Sequence, residues 1–216
     1  MKRVLLAVCG LTPQIITETL YALHYEGRLP QRVVVLTTRA GRERCLNTLF
    51  DGPGMLHRFF DDYGIAPSAC RFGREDILTP APPADDIATL EESEAFQTLC
   101  MEQTRLLAGE PDVTVDFSIA GGRKTMGASL ALAAQCYAGA EDRLFHVLVS
   151  PAFESQPDFF YPPPGGVWIR GTPTSRWQCC PLRACAPGFR RTFCNSRKRR
   201  KACLPASIWH RCLCCA

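Results

Sequence analysis

The run of residues 113–127 constrains the fold more than any other stretch of the chain. Its first seven residues alternate between apolar and polar side chains, which is the pattern of a β-strand. Gly121 and Gly122 follow, and from Met126 onward apolar residues recur every three or four positions, as they do along a helix. The sequence therefore predicts a strand, a tight turn and a helix in immediate succession.

Two cations stand where this predicted helix begins. Arg123 and Lys124 oppose the helix dipole, which disfavours positive charge at an N-terminus. Free amide groups of the first helical turn attract anions, and glycines let a ligand approach the backbone closely. We interpret the turn as a phosphate-binding site, and the alternative is an ordinary strand-to-helix turn with solvated cations. Neither the P-loop pattern nor Gly-x-Gly-x-x-Gly is present, which argues against ATP and NAD.

Charge divides the chain into two parts. Residues 165–216 hold eleven of the 25 Lys and Arg and none of the 21 Asp and Glu, so residues 1–164 carry 14 basic and 21 acidic residues, a balance of −7. A mildly acidic body is not a general nucleic-acid-binding surface, so no DNA partner is expected. We predict a domain over 1–164 and a basic, Cys-rich tail over 165–216.

The cysteines and the N-terminus favour a cytosolic protein. Five cysteines are scattered singly through the body, as buried reduced thiols usually are, and eight follow residue 178. The apolar run at 4–8 is too short for a signal peptide, and Val8 suits a lipoprotein cleavage site poorly. No window approaches a membrane span, so we expect no membrane partner.

The N-terminal elements form a predicted βαβ unit. Lys2–Val8 is a continuous apolar strand of the kind buried on both faces of a parallel sheet. In the loop 10–14, Thr12 is expected to cap a helix and Pro13 to take its first position. A second strand is predicted at 32–38, and a right-handed crossover joins the two strands.

Later segments continue the alternation of helices and strands. We predict a helical region over 40–63 broken near 51–54, a short strand at 68–72, a long helix at 86–108 and a last strand at 143–150. The fold class is α/β, a Rossmann-like doubly wound and mainly parallel sheet of about five or six strands. Ligands bind such sheets at the carboxyl ends of the strands, where the loops 10–14 and 119–124 are expected to lie.

Both loops resemble a known family. The segments 4–19 (VLLAVCGLTPQIITET) and 118–127 (SIAGGRKTMG) look like the two signature segments of CRISPR-associated CARF domains. More narrowly, they resemble the small stand-alone ring nucleases of type III CRISPR systems, over residues 1 to about 164. The resemblance implies a Rossmann-like homodimer in the cytoplasm of a prokaryote. Its ligand is implied to be cyclic tetra- or hexa-adenylate, bound across the dimer axis without a cofactor.

The resemblance also implies the residues of the site. Lys124 falls at the basic position of the second motif, and Thr12 falls where the first motif has a small polar residue. The catalytic residues implied are Lys124, Thr12 and Arg123. The ligand-binding residues implied are Gly10, Leu11, Thr12, Pro13, Gln14, Ser118, Gly121, Gly122, Arg123, Lys124, Thr125 and Met126.

The implied chemistry uses the ribose itself, because a 2′-OH held in line can attack the neighbouring phosphate and leave a 2′,3′-cyclic phosphate. Positioning supplies several kcal/mol of such a barrier. Lys124 and Arg123 are implied to stabilise the developing charge. No metal is expected, since no cluster in the body has ligand spacing. The histidines lie outside both loops, and His146, in an apolar strand, is expected to be a core residue rather than a base.

Two other functions stay open at this point. One is a sensor that binds the messenger without cleaving it, since many CARF domains signal to an attached effector. The Arg-x4–6-His signature of the usual effector ribonuclease is absent, which favours messenger degradation. The more distant alternative is another nucleotide-binding enzyme on the same fold.

The tail allows three interpretations. Its cysteine spacings match no common zinc module, and a zinc module and a basic RNA-binding or targeting tail remain alternatives. We favour an out-of-frame translation beginning near Gly171, because the tail combines excess Arg, Cys, Pro and Trp with no acidic residue.

Overall fold

A single parallel sheet organises the computed structural model, in which residues 1–149, 153 and 156–164 are described. Its strands are β1 (Lys2–Val8), β2 (Arg32–Leu36), β3 (Ile77–Leu78), β4 (Val113–Ser118) and β5 (Arg143–Phe145), in the order β3-β2-β1-β4-β5. The order reverses direction at β1, which pairs with both β2 and β4. This arrangement confirms the predicted Rossmann-like, doubly wound α/β fold, and the loops that follow β1 and β4 flank its switch point.

Helices connect the strands. The helices are α1 (Gln14–Tyr25), α2 (Arg39–Cys45), α3 (Met55–Asp62), α4 (Leu90–Gly109) and α5 (Lys124–Tyr137). A π-helical turn, Leu46–Phe50, extends α2 and ends at the predicted break, and a 3₁₀ turn, Arg74–Asp76, precedes β3. No helix in the described part of the chain is both long and apolar enough to cross a membrane.

The helices cover both faces of the sheet. One core cluster joins α1, α2 and α3 to Leu5 and Ala7 of β1, and a second joins α4 and α5 to Val4 and Leu6. Side chains alternate between the faces of a strand, so a strand covered on both sides must be apolar throughout. Burial on both faces therefore accounts for the unbroken apolar run of β1.

A capping box fixes the start of α4. The Thr89 hydroxyl accepts a hydrogen bond from the Glu92 amide at 3.2 Å, and the Glu92 carboxylate accepts one from the Thr89 amide at 2.8 Å. These contacts satisfy two backbone donors that a helix start leaves free. The helix predicted from residue 86 therefore begins at Leu90, and Asp86 lies in the preceding connection.

Several predicted elements need correction. Residues 68–72 form no strand, since only Arg71 makes an isolated bridge, to Arg32, and the third strand is the two-residue segment β3. The second strand ends at Leu36, and the last ends at Phe145, with residue 150 outside the described residues. His146 is exposed, so the expectation of a core histidine was wrong.

The proposals for the tail fall on residues that lie outside the described part of the chain. These are the boundary at residue 165, the zinc module, the basic tail and the out-of-frame translation. They stay predictions.

A buried carboxylate ties β4 to the elements around it. Asp116 has a fully buried side chain, and its two oxygens accept hydrogen bonds from Arg3 at 3.2 Å and Arg28 at 3.1 Å. Removing one partner of a buried ion pair leaves the other charges without compensation.

We expect Asp116→Ala to lower the free energy of unfolding by about 3 kcal/mol, because two partly buried guanidinium groups lose the one carboxylate that they contact in the described part of the chain. Urea denaturation measures the change. The matched control is Asp51→Ala, whose carboxylate forms an exposed ion pair with Arg74 at 2.6 Å, and it should change the free energy of unfolding by less than about 1 kcal/mol. Equal effects of the two substitutions would contradict a structural role for the buried charge.

Candidate functional site

The loops after β1 and β4 lie in direct contact at the carboxyl edge of the sheet. A methyl group added to Gly10 would lie 2.7 Å from the Cα of Gly122, closer than side-chain carbons approach a backbone. A methyl group on Gly121 would lie 2.5 Å from the carbonyl oxygen of Val8. The two segments with the predicted motifs are therefore packed backbone against backbone, and both need glycine at the contact.

Gly122 also requires glycine for its conformation. Its φ of +77° lies in the left-handed region that other residues rarely adopt. A methyl group there would lie 2.6 Å from the Sδ of Met126, which is buried under the turn. The Met126 sulfur accepts a hydrogen bond from the Arg123 amide at 3.4 Å. Met126, which was predicted to bind ligand, thus packs against the buried side of the turn and stabilises it.

The loop after β2 joins the same edge. A methyl group on Gly41, in the first turn of α2, would lie 3.0 Å from the Gly10 carbonyl oxygen. The Thr38 hydroxyl caps α2 by accepting a hydrogen bond from the Gly41 amide at 3.2 Å. The carboxyl ends of β1, β2 and β4 thus meet here. Arg39, the first residue of α2, lies at the same edge as the two predicted loops.

The first loop exposes two of its predicted ligand-binding residues. Leu11 is 65% exposed, which is unusual for a leucine in an α/β domain, and Thr12 is exposed beside it. The helix begins at Gln14 with buried Pro13 in the N-cap position, and no side chain caps it. The prediction that Thr12 caps this helix was therefore wrong, and its hydroxyl faces outward without a partner in the described residues.

The segment 156–164 holds the start of α1. Gln14 donates a hydrogen bond from Nε2 to the Pro157 carbonyl at 2.7 Å, and Thr17 donates one to the Phe160 carbonyl at 2.9 Å. Further along, the Tyr161 hydroxyl contacts the Asp62 carboxylate at 2.8 Å. Gln14 is thus engaged within the domain, and its buried Oε1 has no partner among the described residues.

Lys124 begins α5 as an exposed cation. No hydrogen bond or ion pair to its side chain is found within residues 1–149 or the described residues beyond them, and Thr125 is exposed next to it. The amides of Lys124 and Thr125 belong to the first helical turn, which leaves such groups without helical acceptors. A free ammonium group, free amides and the positive end of a fourteen-residue helix therefore coincide.

Arg123 is occupied by an acidic residue. Its Nε donates to one oxygen of Asp86 at 2.6 Å, and its terminal NH2 group contacts the other oxygen. This fork-to-carboxylate contact holds the pKa of Asp86 down, to about 2, and raises that of Arg123. Both groups are charged at neutral pH, so a phosphate must compete with Asp86 for this guanidinium group.

Two buried hydroxyl groups lie near the strand ends. Ser118 closes β4, and Thr37 follows β2. Both residues are almost completely buried, and neither hydroxyl oxygen has a hydrogen-bond partner in the described part of the chain. Buried polar groups usually have partners, so these two are available to a ligand or to water at this edge.

Cys9 precedes the first loop, and its thiol is not activated as a nucleophile. Its sulfur lies 3.6 Å from that of Cys45, and both residues are fully buried. The hydrogen bond to Cys45 and burial raise the pKa of the Cys9 thiol well above its usual value. The body cysteines are free thiols and all but the half-buried Cys136 are buried, as predicted.

Glu18 is a titratable group that the motifs did not single out. It lies one turn into α1 and is half-buried, with no ion pair in the parts of the chain described. Burial raises the pKa of its carboxyl group to about 7. Among the described residues, no group of three His, Cys, Asp or Glu side chains could hold a metal ion.

Sequence reasoning missed Arg39, Asp85 and Asp86. Residues 86–89 were predicted to begin the helix 86–108, and no role was assigned to residues 79–85. Asp85 pairs with Arg39, as Asp86 pairs with Arg123, although each pair is 37 or more residues apart along the chain. The adjacent acids Asp85-Asp86 next to a run of prolines were the only local signal.

Comparison with protein families gives one match. The family described as CRISPR-associated protein NE0113 matches residues 12–178, which is more than half of the chain. None of the curated proteins matches it. The family match confirms the resemblance to CRISPR-associated proteins.

Solved structures resemble parts of this chain at low identity. Csm6 of Enterococcus italicus, bound to cyclic hexa-2′-fluoro-hexa-dAMP, has 17% identity and a TM-score of 0.44 over 73% of this chain and 36% of that one. Protein VC1899 of Vibrio cholerae has 13% identity and a TM-score of 0.42 over 68% of this chain and 30% of that one. A putative UDP-N-acetylglucosamine 2-epimerase of Listeria monocytogenes has 20% identity and a TM-score of 0.34 over 69% and 31%. The chain spans about a third of each.

We expect Gly10→Ala to lower the free energy of unfolding by about 1–3 kcal/mol, because its methyl group overlaps the Gly122 backbone and the loops must separate. Urea denaturation measures this loss. Gly109→Ala is the control, since a methyl group there meets nothing within 4 Å and the position is helical. If Gly10→Ala is as stable as Gly109→Ala, the two loops are not in close contact.

Proposed function

Since the chain belongs to the family of CRISPR-associated protein NE0113, we propose that it binds a cyclic oligoadenylate and cleaves it, ending a type III CRISPR response. The observation that carries the proposal is Lys124 at the start of α5, which has no partner among the residues that the structure describes and lies at the same sheet edge as an exposed Thr12. Phosphodiesters need a cation and amide donors, and both are present at the same helix start.

The neighbouring groups support a nucleotide ligand. Gly122 is exposed and Gly10 and Gly121 are half-buried, so part of the backbone of both loops is open to a ligand. Exposed Leu11 offers apolar surface to an adenine, and the Thr12 hydroxyl can hydrogen-bond a ribose or a phosphate oxygen. These contacts hold one nucleotide unit by its base, its sugar and its phosphate.

A symmetric homodimer is part of the proposal. A ring with an even number of nucleotides has an approximate two-fold axis, and a dimer with two-fold symmetry offers each loop twice. One copy supplies one Lys124 and one Thr12, so a tetra- or hexa-adenylate ring requires two copies for equivalent contacts.

The reaction proceeds within the RNA. A ribose 2′-oxygen attacks the adjacent phosphorus, forming one P–O bond, and the bond from that phosphorus to the 5′-oxygen breaks. The 2′-OH proton passes to water, and the departing 5′-oxygen takes a proton from water, so a linear product with a 2′,3′-cyclic phosphate results. Lys124 stabilises the additional negative charge on the phosphorane oxygens, and Thr12 orients the ribose.

We expect Lys124→Ala to lower the rate of cleavage by about 100-fold or more, because the phosphorane loses its cation. Ring binding should weaken by about 100-fold, because each of the two copies loses one charge-assisted phosphate contact. Chromatography of products from cyclic tetra- and hexa-adenylate, with EDTA present, measures the rate, and calorimetry measures binding.

Lys2→Ala is the matched control. Lys2 is an exposed lysine at the amino end of β1, the opposite edge of the sheet from Lys124, so its loss should change neither quantity. Binding by wild type without any product would identify the protein as a non-catalytic sensor. Failure of wild type to bind either ring, with binding of ATP or NAD instead, would select another nucleotide-binding function.

A further inference from the structure

The connection between β3 and α4, residues 79–89, crosses the carboxyl edge of the sheet, and we call it the strap. It leaves the edge strand β3 and reaches α4 on the face that α5 shares. Pro80 and Ile87 of the strap are buried, with Ile87 in the core cluster of that face. Asp85 and Asp86 point outward at its middle.

These two adjacent carboxylates bind Arg39 at the start of α2 and Arg123 at the start of α5. Asp85 accepts two hydrogen bonds from Arg39, at 2.5 and 2.6 Å, and the Arg39 amide donates to the Ala84 carbonyl at 2.8 Å. Asp86 accepts two from Arg123. The strap therefore connects the loop after β2 with the loop after β4, over the strand ends where the candidate site lies.

The two pairs have the geometry of phosphate contacts. Each guanidinium group presents two parallel N–H bonds to two oxygens, and a phosphate accepts the same fork. The side chains are about half exposed, with 58% and 64% for Arg39 and Asp85 and 58% and 51% for Arg123 and Asp86. Exposed ion pairs contribute little to stability, so exchanging carboxylate for phosphate requires no buried charge to be uncovered.

We propose that the strap is an internal competitor, in which Asp85 and Asp86 occupy Arg39 and Arg123 until phosphates of the ligand displace them. Arg39 is then a further phosphate-binding residue of the site. The identity of the ligand rests on the proposed function, whereas the competition rests on the ion pairs alone. The apparent affinity is proportional to the fraction of protein whose arginines are free. An acidic residue that occupies these arginines therefore weakens ligand binding.

Asp86→Asn tests the competition at Arg123. If the strap in each copy holds Arg123 for about nine-tenths of the time, the variant should bind cyclic oligoadenylate about tenfold more tightly at each site, and a ring contacted by both copies about 100-fold more tightly, than wild type. Isothermal titration calorimetry on the full 216-residue chain, with both ring sizes, measures the dissociation constants. Asp51→Asn removes an equally exposed, arginine-paired charge outside the site and should leave them unchanged.

A double-mutant cycle separates competition from a general charge effect. Arg123→Gln should weaken binding, and adding Asp86→Asn to Arg123→Gln should give no gain, because the acid acts through that arginine. The same cycle with Asp85→Asn and Arg39→Gln tests the second pair. A gain from Asp86→Asn that persists without Arg123 overturns the proposal. An unchanged dissociation constant with a lower melting temperature does so too, and identifies a purely structural brace.

A probe other than the ring keeps this test independent of the proposed function. If wild type binds neither ring, the proposed function fails, and sodium pyrophosphate then serves as the anion. NMR resonances of the Arg123 Nε–H group should shift at about tenfold lower pyrophosphate concentration in Asp86→Asn than in wild type. Equal concentrations in the two proteins overturn the competition.

Discussion

The contact between Gly10 and Gly122 is the constraint on which the site depends. It brings the end of β1 against the turn after β4 at a separation that allows no side chain on Gly10. Neighbouring parallel strands bring two loops to one edge, and the backbone contacts of Gly10 with Gly122 and of Gly121 with Val8 hold the loops together. The first-turn amides and Lys124 of α5 therefore lie at the same edge of the sheet as Leu11 and Thr12.

The three cations at this edge differ in whether a carboxylate already pairs with them. Arg39 and Arg123 already have carboxylate partners from the strap, whereas Lys124 has none within the described residues. In the proposed complex, a ligand phosphate meets Lys124 first and exchanges places with Asp85 or Asp86 to reach the arginines. Lys124 thus offers a phosphate a contact without competition, whereas contacts with Arg39 and Arg123 require the displacement of a carboxylate.

The sequence predicted the parts of the fold that local patterns control. β1 follows from its continuous apolar run, and the succession of β4, two glycines and α5 follows from a period-two pattern, a glycine break and a period-3.6 pattern. β3 was missed because two residues cannot show alternation, and a strand at 68–72 was predicted instead. His146 was assigned to the core because strand β5 was taken to continue through it, whereas β5 ends at Phe145.

The site was predictable only in part for a related reason. Glycines and cations following one strand predict a phosphate-binding turn, and the doubly wound topology placed the first loop at the same edge. The partners of Arg123 and Arg39 depend on tertiary contacts, because their carboxylates lie 37 and 46 residues away in the chain. The cap predicted at Thr12 failed because Pro13 takes the N-cap position itself.

A structure of the protein with a non-cleavable cyclic oligoadenylate tests the central claim most directly. We expect two copies around one ring, with a phosphate oxygen within hydrogen-bond distance of the Lys124 ammonium group and a ribose against the 10–13 loop. A ring bound elsewhere, or one whose phosphates all lie beyond the reach of Lys124, would contradict the account.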